Sequence, residues 1–150
     1  MRVAAAAGLC VCLGCGGDSA PTSMSAGGAS SQDDLTSGIE HRLWQVADRF
    51  AAGMGGRIEN AQAVKSEYAA AVRLTSGAIV SGNRDVWAIQ IEGVDKFVCR
   101  TCSRPMGARP PRGSFLTLVI DAETFKGTDF GIAPDRVDLG ELGTAIELHR

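Results

Sequence analysis

Val86-Trp87-Ala88-Ile89-Gln90-Ile91 is the stretch that decides how this chain folds. Its residues alternate, which puts Trp87, Ile89 and Ile91 on one face of an extended strand, and Gly93 reads as the turn that ends it. Lys96-Phe97-Val98-Cys99 then reads as a short return strand. Phe115-Leu116-Thr117-Leu118-Val119-Ile120 is a further strand, bounded by Gly113 and Asp121, and Phe130-Gly131-Ile132 follows a turn near Thr124 to Gly127. Towards the N-terminus the period changes. Leu35, Ile39, Leu43, Val46, Ala47 and Phe50 recur at steps of three and four and form the apolar stripe of a helix. Asp33 and Asp34 stand where they can cap it, and Gly53, Gly55 and Gly56 stop it. Residues 57–77 read either as a second helix or as a short strand followed by one, since alanine favours helix while Val64 with alternating neighbours permits a strand. The end, from Asp135 to Leu148, reads as a helical turn or a strand. Helix first and antiparallel strands after gives an α+β fold, with an N-terminal amphipathic helix (or two helices) packed on one face of a small antiparallel sheet.

The first residues carry a different kind of signal. Arg2 supplies a positive start, Val3 to Leu13 is a short apolar run free of charge, and Leu13-Gly14-Cys15 fits the last three positions of a bacterial lipobox. Cys12 sits where an aliphatic residue is usual. The run is too short to span a bilayer, which makes it a processing segment. Gly16 to Ser31 is almost wholly Gly, Ser, Ala, Thr and Pro, a composition that cannot bury enough apolar surface to offset chain entropy. From Gly16 to Asp34 such a spacer has an end-to-end distance of about 25 Å. The expected organisation is a signal peptide over residues 1–14, a lipidated Cys15 with a Gly/Ser/Ala spacer over residues 15–34, and one α+β domain over residues 35–150. That places the protein on the outer face of the cell membrane, held by lipid. Plain secretion with cleavage nearby, and a start codon placed too far downstream, are the alternatives.

The chain has 150 residues and a formal charge of −2, so no global field draws it to nucleic acid or to anionic membranes. Roughly 115 residues remain for folding, enough for one domain with a core of its own. Five cysteines occur. Cys10 and Cys12 leave with the signal and Cys15 takes lipid. Cys99 and Cys102 remain, an even pair in an oxidising compartment. Their spacing allows a structural disulfide, a redox pair or half of a zinc site. Structural zinc wants four ligands and the mature chain offers no second cysteine pair, with only His41 and His149 besides. A redox pair works best with its first thiol at a helix N-terminus, whereas this one follows a strand with Pro105 soon after. A structural disulfide is the expected role.

Residues 100–113 form the other candidate. They carry Arg100, Arg104, Arg109 and Arg112 with Pro105, Pro110 and Pro111, and no acidic residue. Arginine forks suit phosphate and carboxylate, so an anionic envelope polymer, a lipid head group or a partner protein could dock there. The bland alternative is a solvated loop. No nucleophile elbow surrounds Ser114, and Asp129, Asp135, Asp138 and Glu141 lack the spacing of a calcium loop. Trp44 and Trp87 each lie on an apolar face and read as core.

Three stretches carry a family likeness. They are Asp85-Val86-Trp87-Ala88-Ile89-Gln90-Ile91-Glu92-Gly93, Thr117-Leu118-Val119-Ile120-Asp121-Ala122-Glu123-Thr124 and Asp138-Leu139-Gly140-Glu141-Leu142-Gly143. Together the chain resembles a group of uncharacterised secreted proteins and lipoproteins of high-GC Gram-positive bacteria. The strand running into Ile-Asp-Ala-x-Thr is also similar to small PepSY-type and cystatin-like domains, where a helix packs on a curled antiparallel sheet. Those relatives usually place Gly after the Thr of the turn, whereas Phe125 stands here and Gly127 comes later. The resemblance implies an envelope protein and carries over no catalytic residue, cofactor or metal. The expectation is a membrane-tethered lipoprotein whose domain binds a ligand without catalysis. Its rivals are an accessory thiol–disulfide protein using Cys99 and Cys102, and a structural tethered domain with no ligand.

Overall fold

The computed structural model describes residues 30–150. The expected signal segment, Cys15 and the expected spacer up to residue 29 lie outside the described residues. Helix α1 (Ser30–Gly53) begins ahead of Asp33 and Asp34, so residues 30–34 of the expected spacer are helical and the two aspartates stand inside the helix instead of at its cap. Strand β1 (Ile58–Glu67) and helix α2 (Tyr68–Ser76) follow, which settles residues 57–77 as strand then helix. Ala69, Ala70 and Ala71 drive α2, and Gly77 ends it at φ 71, returning its N–H to the Arg73 carbonyl.

Strands β2 (Asp85–Val98), β3 (Arg112–Asp121) and β4 (Gly127–Ala133) come next, then a 3-10 turn (Leu139–Leu142) and a short β5 (Ile146–Glu147). All five strands join one antiparallel sheet in the order β4-β3-β2-β1-β5. The expected turn at Gly93 and return strand at Lys96 to Cys99 are absent. One long β2 runs through both, with a register shift between Glu92 and Phe97. Phe97 lies at its end. Its ring is fully buried and folds back over Gly56 and Gly93, where an added Cβ would lie 2.5 Å and 2.8 Å from ring carbons, and at Gly93 also 2.5 Å from the Asp95 carbonyl oxygen. Gly93 therefore marks a bulge where neither the backbone nor the ring leaves room for a Cβ.

The helices lie on opposite faces of the sheet, not on one. Helix α1 packs Leu43, Ala47 and Ala51 on Ala61, Ala63, Ile89, Ile91, Leu116, Leu118 and Ile120. Helix α2 and the 3-10 turn pack Ala71, Val72 and Leu139 on Val64, Val86, Ala88 and Val119. The reason is visible in β2, where Val86 and Ala88 alternate with Trp87 and Ile89. Both faces of that half of the strand are apolar, and each needs a covering layer. Farther along, the second face turns polar. Gln62, Gln90 and Thr117 face one another across β1, β2 and β3, and Gln90 is 3% exposed.

Candidate functional site

At one end of the β2–β3 ladder Val86 faces Asp121, and the chain then reverses into β4. Asp121 builds that reversal. Its Oδ1 accepts from the Glu123 N–H at 3.2 Å, the Thr124 N–H at 2.9 Å and the Thr124 hydroxyl at 2.8 Å. On the backbone, the Asp121 N–H donates to the Lys126 carbonyl and its own carbonyl accepts from the Phe125 N–H, both at 2.9 Å. The Thr124 N–H bond first, and the Thr124 hydroxyl second, hold the Asp121 carboxyl below the usual carboxylate range. Desolvation opposes them, while the Glu123 N–H and the Arg84 charge add to the lowering.

These bonds set Phe125 at φ 57, in the left-handed region that disfavours any side chain with a Cβ. The cost is about 1–2 kcal/mol, which glycine would not incur. The ring has partners all the same. The Arg42 guanidinium of α1 lies 4.4 Å above its centre, and its edge packs on the core under α1. Such a cation–aromatic contact contributes about 0.5–1 kcal/mol near a surface.

Beside this ring opens a cavity of about 640 Å³. Ile39, Trp87 and Phe125 form its apolar wall, and Lys65, Asp85 and Glu123 stand at its charged rim. Its size falls within the roughly 300–1,000 Å³ of small-molecule sites. Trp87 and Phe125 are half-buried and Ile39 is exposed, so apolar surface faces the opening. Two of the rim charges pair with each other, Lys65 Nζ lying 2.7 Å from Asp85 Oδ2, and Arg84, which also lines the cavity, stacks 4.3 Å over the Tyr68 ring. Flat aromatic walls under a rim of both signs suit a ligand with an apolar or ring body and polar substituents.

The residues singled out in the sequence fall elsewhere. Cys99 and Cys102 close a loop at the far end of β2, their sulfurs 2.05 Å apart and their Cα atoms 5.5 Å apart, at disulfide distance. Cys99 is buried and Cys102 half-buried. Arg100, Arg104, Arg109 and Arg112 are all exposed, and among the described residues none pairs with a carboxylate. Arg104 donates to the Arg100 carbonyl at 3.3 Å. The acidic residues near the end do not complement that loop. Asp138 accepts from the Gly140 N–H and Asp129 from the Phe130 N–H. His41 is exposed and lies 2.8 Å from the Gln45 amide nitrogen, and His149 is exposed at the C-terminal end. Among the described residues no three His, Cys, Asp or Glu side chains gather as a metal site, and no helix is long and apolar enough to cross a membrane.

Sequence reasoning missed Phe125, Ile39, Lys65 and Asp85 as neighbours, and read Trp87 as core alone. One signal pointed there, namely a bulky residue where a turn would take glycine. A smaller feature sits on the opposite sheet face. Arg136 donates to Gln62 at 2.7 Å, Gln62 to Gln90 at 3.5 Å, and Gln90 Nε2 has no partner among the described residues. The adjoining space of about 10 Å³ holds little more than a water-sized group.

Comparison with protein-family models, with curated proteins and with solved structures finds no match to this chain.

Proposed function

We propose that this chain is an extracytoplasmic domain, tethered to a membrane through lipid on Cys15, that captures a small amphipathic ligand between Trp87 and Phe125 without transforming it. The observation that carries the reading is the ring of Phe125, kept in a left-handed backbone position at the wall of the cavity of about 640 Å³. A protein that needed only the turn would take glycine there and avoid the strain. Of the charged groups around the cavity, Lys65 and Asp85 are held in an ion pair, Asp121 in a turn and Arg84 in a ring contact, which serves binding more readily than acid–base chemistry. The test is native mass spectrometry of the protein isolated from its own membranes, with Trp87→Ala beside it. A co-purifying small molecule that is lost in the variant supports the reading. A bare protein in both cases favours a structural domain instead. The intact mass of the same preparation tests the tether, by diacylglycerol on Cys15.

A second reading rests on Cys99 and Cys102. In thiol–disulfide exchange an external thiolate would attack the half-buried Cys102 sulfur, the bond to Cys99 would break, and buried Cys99 would leave and take a proton. Arg100 and Arg104 beside the pair favour thiolate character. The discriminating measurement is the mixed disulfide with glutathione. Its accumulation at Cys102 in Cys99→Ser, with rapid exchange in the parent, supports redox work. A bridge that resists glutathione assigns the pair to structure.

A further inference from the structure

The loop from Arg100 to Pro111 joins β2 to β3 at the end of the sheet opposite the cavity. Its base is closed three ways: Val98 pairs with Arg112, the Cys99 N–H donates to the Pro111 carbonyl at 3.0 Å, and Cys99 bonds Cys102. Its tip is a tight turn over Pro105-Met106-Gly107-Ala108, with the Ala108 N–H donating to the Pro105 carbonyl at 3.1 Å and Gly107 at φ 83. That positive φ at the third position is the requirement of a type II turn, and it sets Met106 at the apex. Met106 is 104% exposed, the most exposed large apolar side chain among the described residues. Val94, 54% exposed, lies in the bulge of β2 at the same end.

We infer that this loop docks the domain on an anionic lipid surface, with Met106 entering the interface and Arg100, Arg104, Arg109 and Arg112 reaching lipid phosphates. The two features together select that partner. Four guanidiniums that pair with no carboxylate among the described residues, and have no acidic neighbour in the loop, complement any dense anionic surface. A soluble anionic polymer has no use for a bare methionine at the apex, whereas the boundary between head groups and acyl chains does. The local charge stands against a chain of net charge −2, so attraction is confined to this end and orients the domain. Each arginine near an anionic membrane strengthens binding about fivefold, and salt weakens it.

The experiment uses the mature chain from residue 15 with Cys15→Ser, so that neither an acyl group nor the apolar run of residues 3–13 contributes. It is floated with vesicles of phosphatidylcholine alone and of phosphatidylcholine with phosphatidylglycerol. Binding to the anionic vesicles only, weakening with salt, is the expected result. Arg109→Gln combined with Arg112→Gln should weaken it about 25-fold, and the uncharged Met106→Ser should weaken it while leaving the circular dichroism unchanged. Equal retention on both vesicle types would overturn the inference. So would undiminished binding of Met106→Ser, which would mark an arginine site for a soluble polyanion or an acidic protein.

Discussion

The two ends of the β2–β3 ladder solve the same problem, reversing the chain beside a sheet, in opposite ways. At the Asp121 end the reversal is short and over-bonded, with one carboxylate oxygen taking three hydrogen bonds and the backbone closing two more. At the Val98 end the reversal is long, its backbone makes few bonds of its own, and a covalent bridge pins its first limb. The difference shows where strain can be stored. Only the over-bonded turn can hold a phenylalanine at φ 57, because many bonds would break before the residue could relax. The long loop instead carries charge and an exposed apex. One end is concave and aromatic, and the other is convex and basic.

The largest effect that tests this contrast is at Gly113, where β3 leaves the loop. A Cβ there would lie 2.1 Å from the Ala133 carbonyl oxygen and 2.4 Å from its carbon, so the backbone of β4 must move. Gly113→Ala should cost about 3 kcal/mol in urea unfolding. Its counterpart, Gly127→Ala at the other end, meets a half-buried Phe50 ring carbon at 2.8 Å, which can give way, and should cost about 1 kcal/mol. Equal costs would mean that the two ends are packed alike. Next in size is the bridge. Replacing Cys99 and Cys102 together by alanine should cost about 2 kcal/mol for so small a loop. In a Trp44→Phe background, Trp87 fluorescence should stay unchanged, since the cavity lies at the far end. A shift in that fluorescence would join the two ends into one unit.

How the sequence reads at these ends follows from what each end depends on. Alternation in Val86 to Ile91 and in Phe115 to Ile120 specifies strands, because a period of two records which side chains meet a core. The stripe of α1 is legible for the same reason. The long β2 is not, since glycine at position 93 looks alike whether it turns a chain or admits the Phe97 ring. The opposite placement of α1 and α2 was readable in principle from Val86 and Ala88, yet alanine is small enough to be ignored in a periodicity argument. The cavity was hidden because Ile39, Lys65, Trp87 and Phe125 come from four elements, and only tertiary packing brings them together. The basic loop was legible because its charge is local in sequence, while the exposure of Met106 needed the turn geometry.

Phe125→Gly separates strain from function at the cavity end. Relief of the left-handed conformation should return about 1 kcal/mol, and loss of the ring against Arg42 and the core should cost a similar amount. Net stability should change by less than about 1 kcal/mol, while capture of the cavity ligand is lost. A destabilisation of about 3 kcal/mol would identify the ring as core and remove the argument from strain.

The smallest effect is the most specific to the over-bonded turn. Thr124 and Glu123 donate to the ionised Asp121, so its folded pKa is depressed below the unfolded value. The sign follows from proton linkage: the unfolded chain binds the proton more tightly, and stability rises with pH through that region. The contribution is fully present above the ordinary aspartate pKa of about 3.9, and it is lost as pH falls through the lowered folded value. Asp121→Asn removes the charge and keeps an acceptor, so its stability should decline less between pH 5 and 2 than that of the parent. The same comparison at the loop end should show nothing, because residues 100–112 contain no carboxylate to protonate. Parallel acid profiles for Asp121→Asn and the parent would mean that the turn is held by its backbone bonds alone, and the strain at Phe125 would then rest on those two bonds.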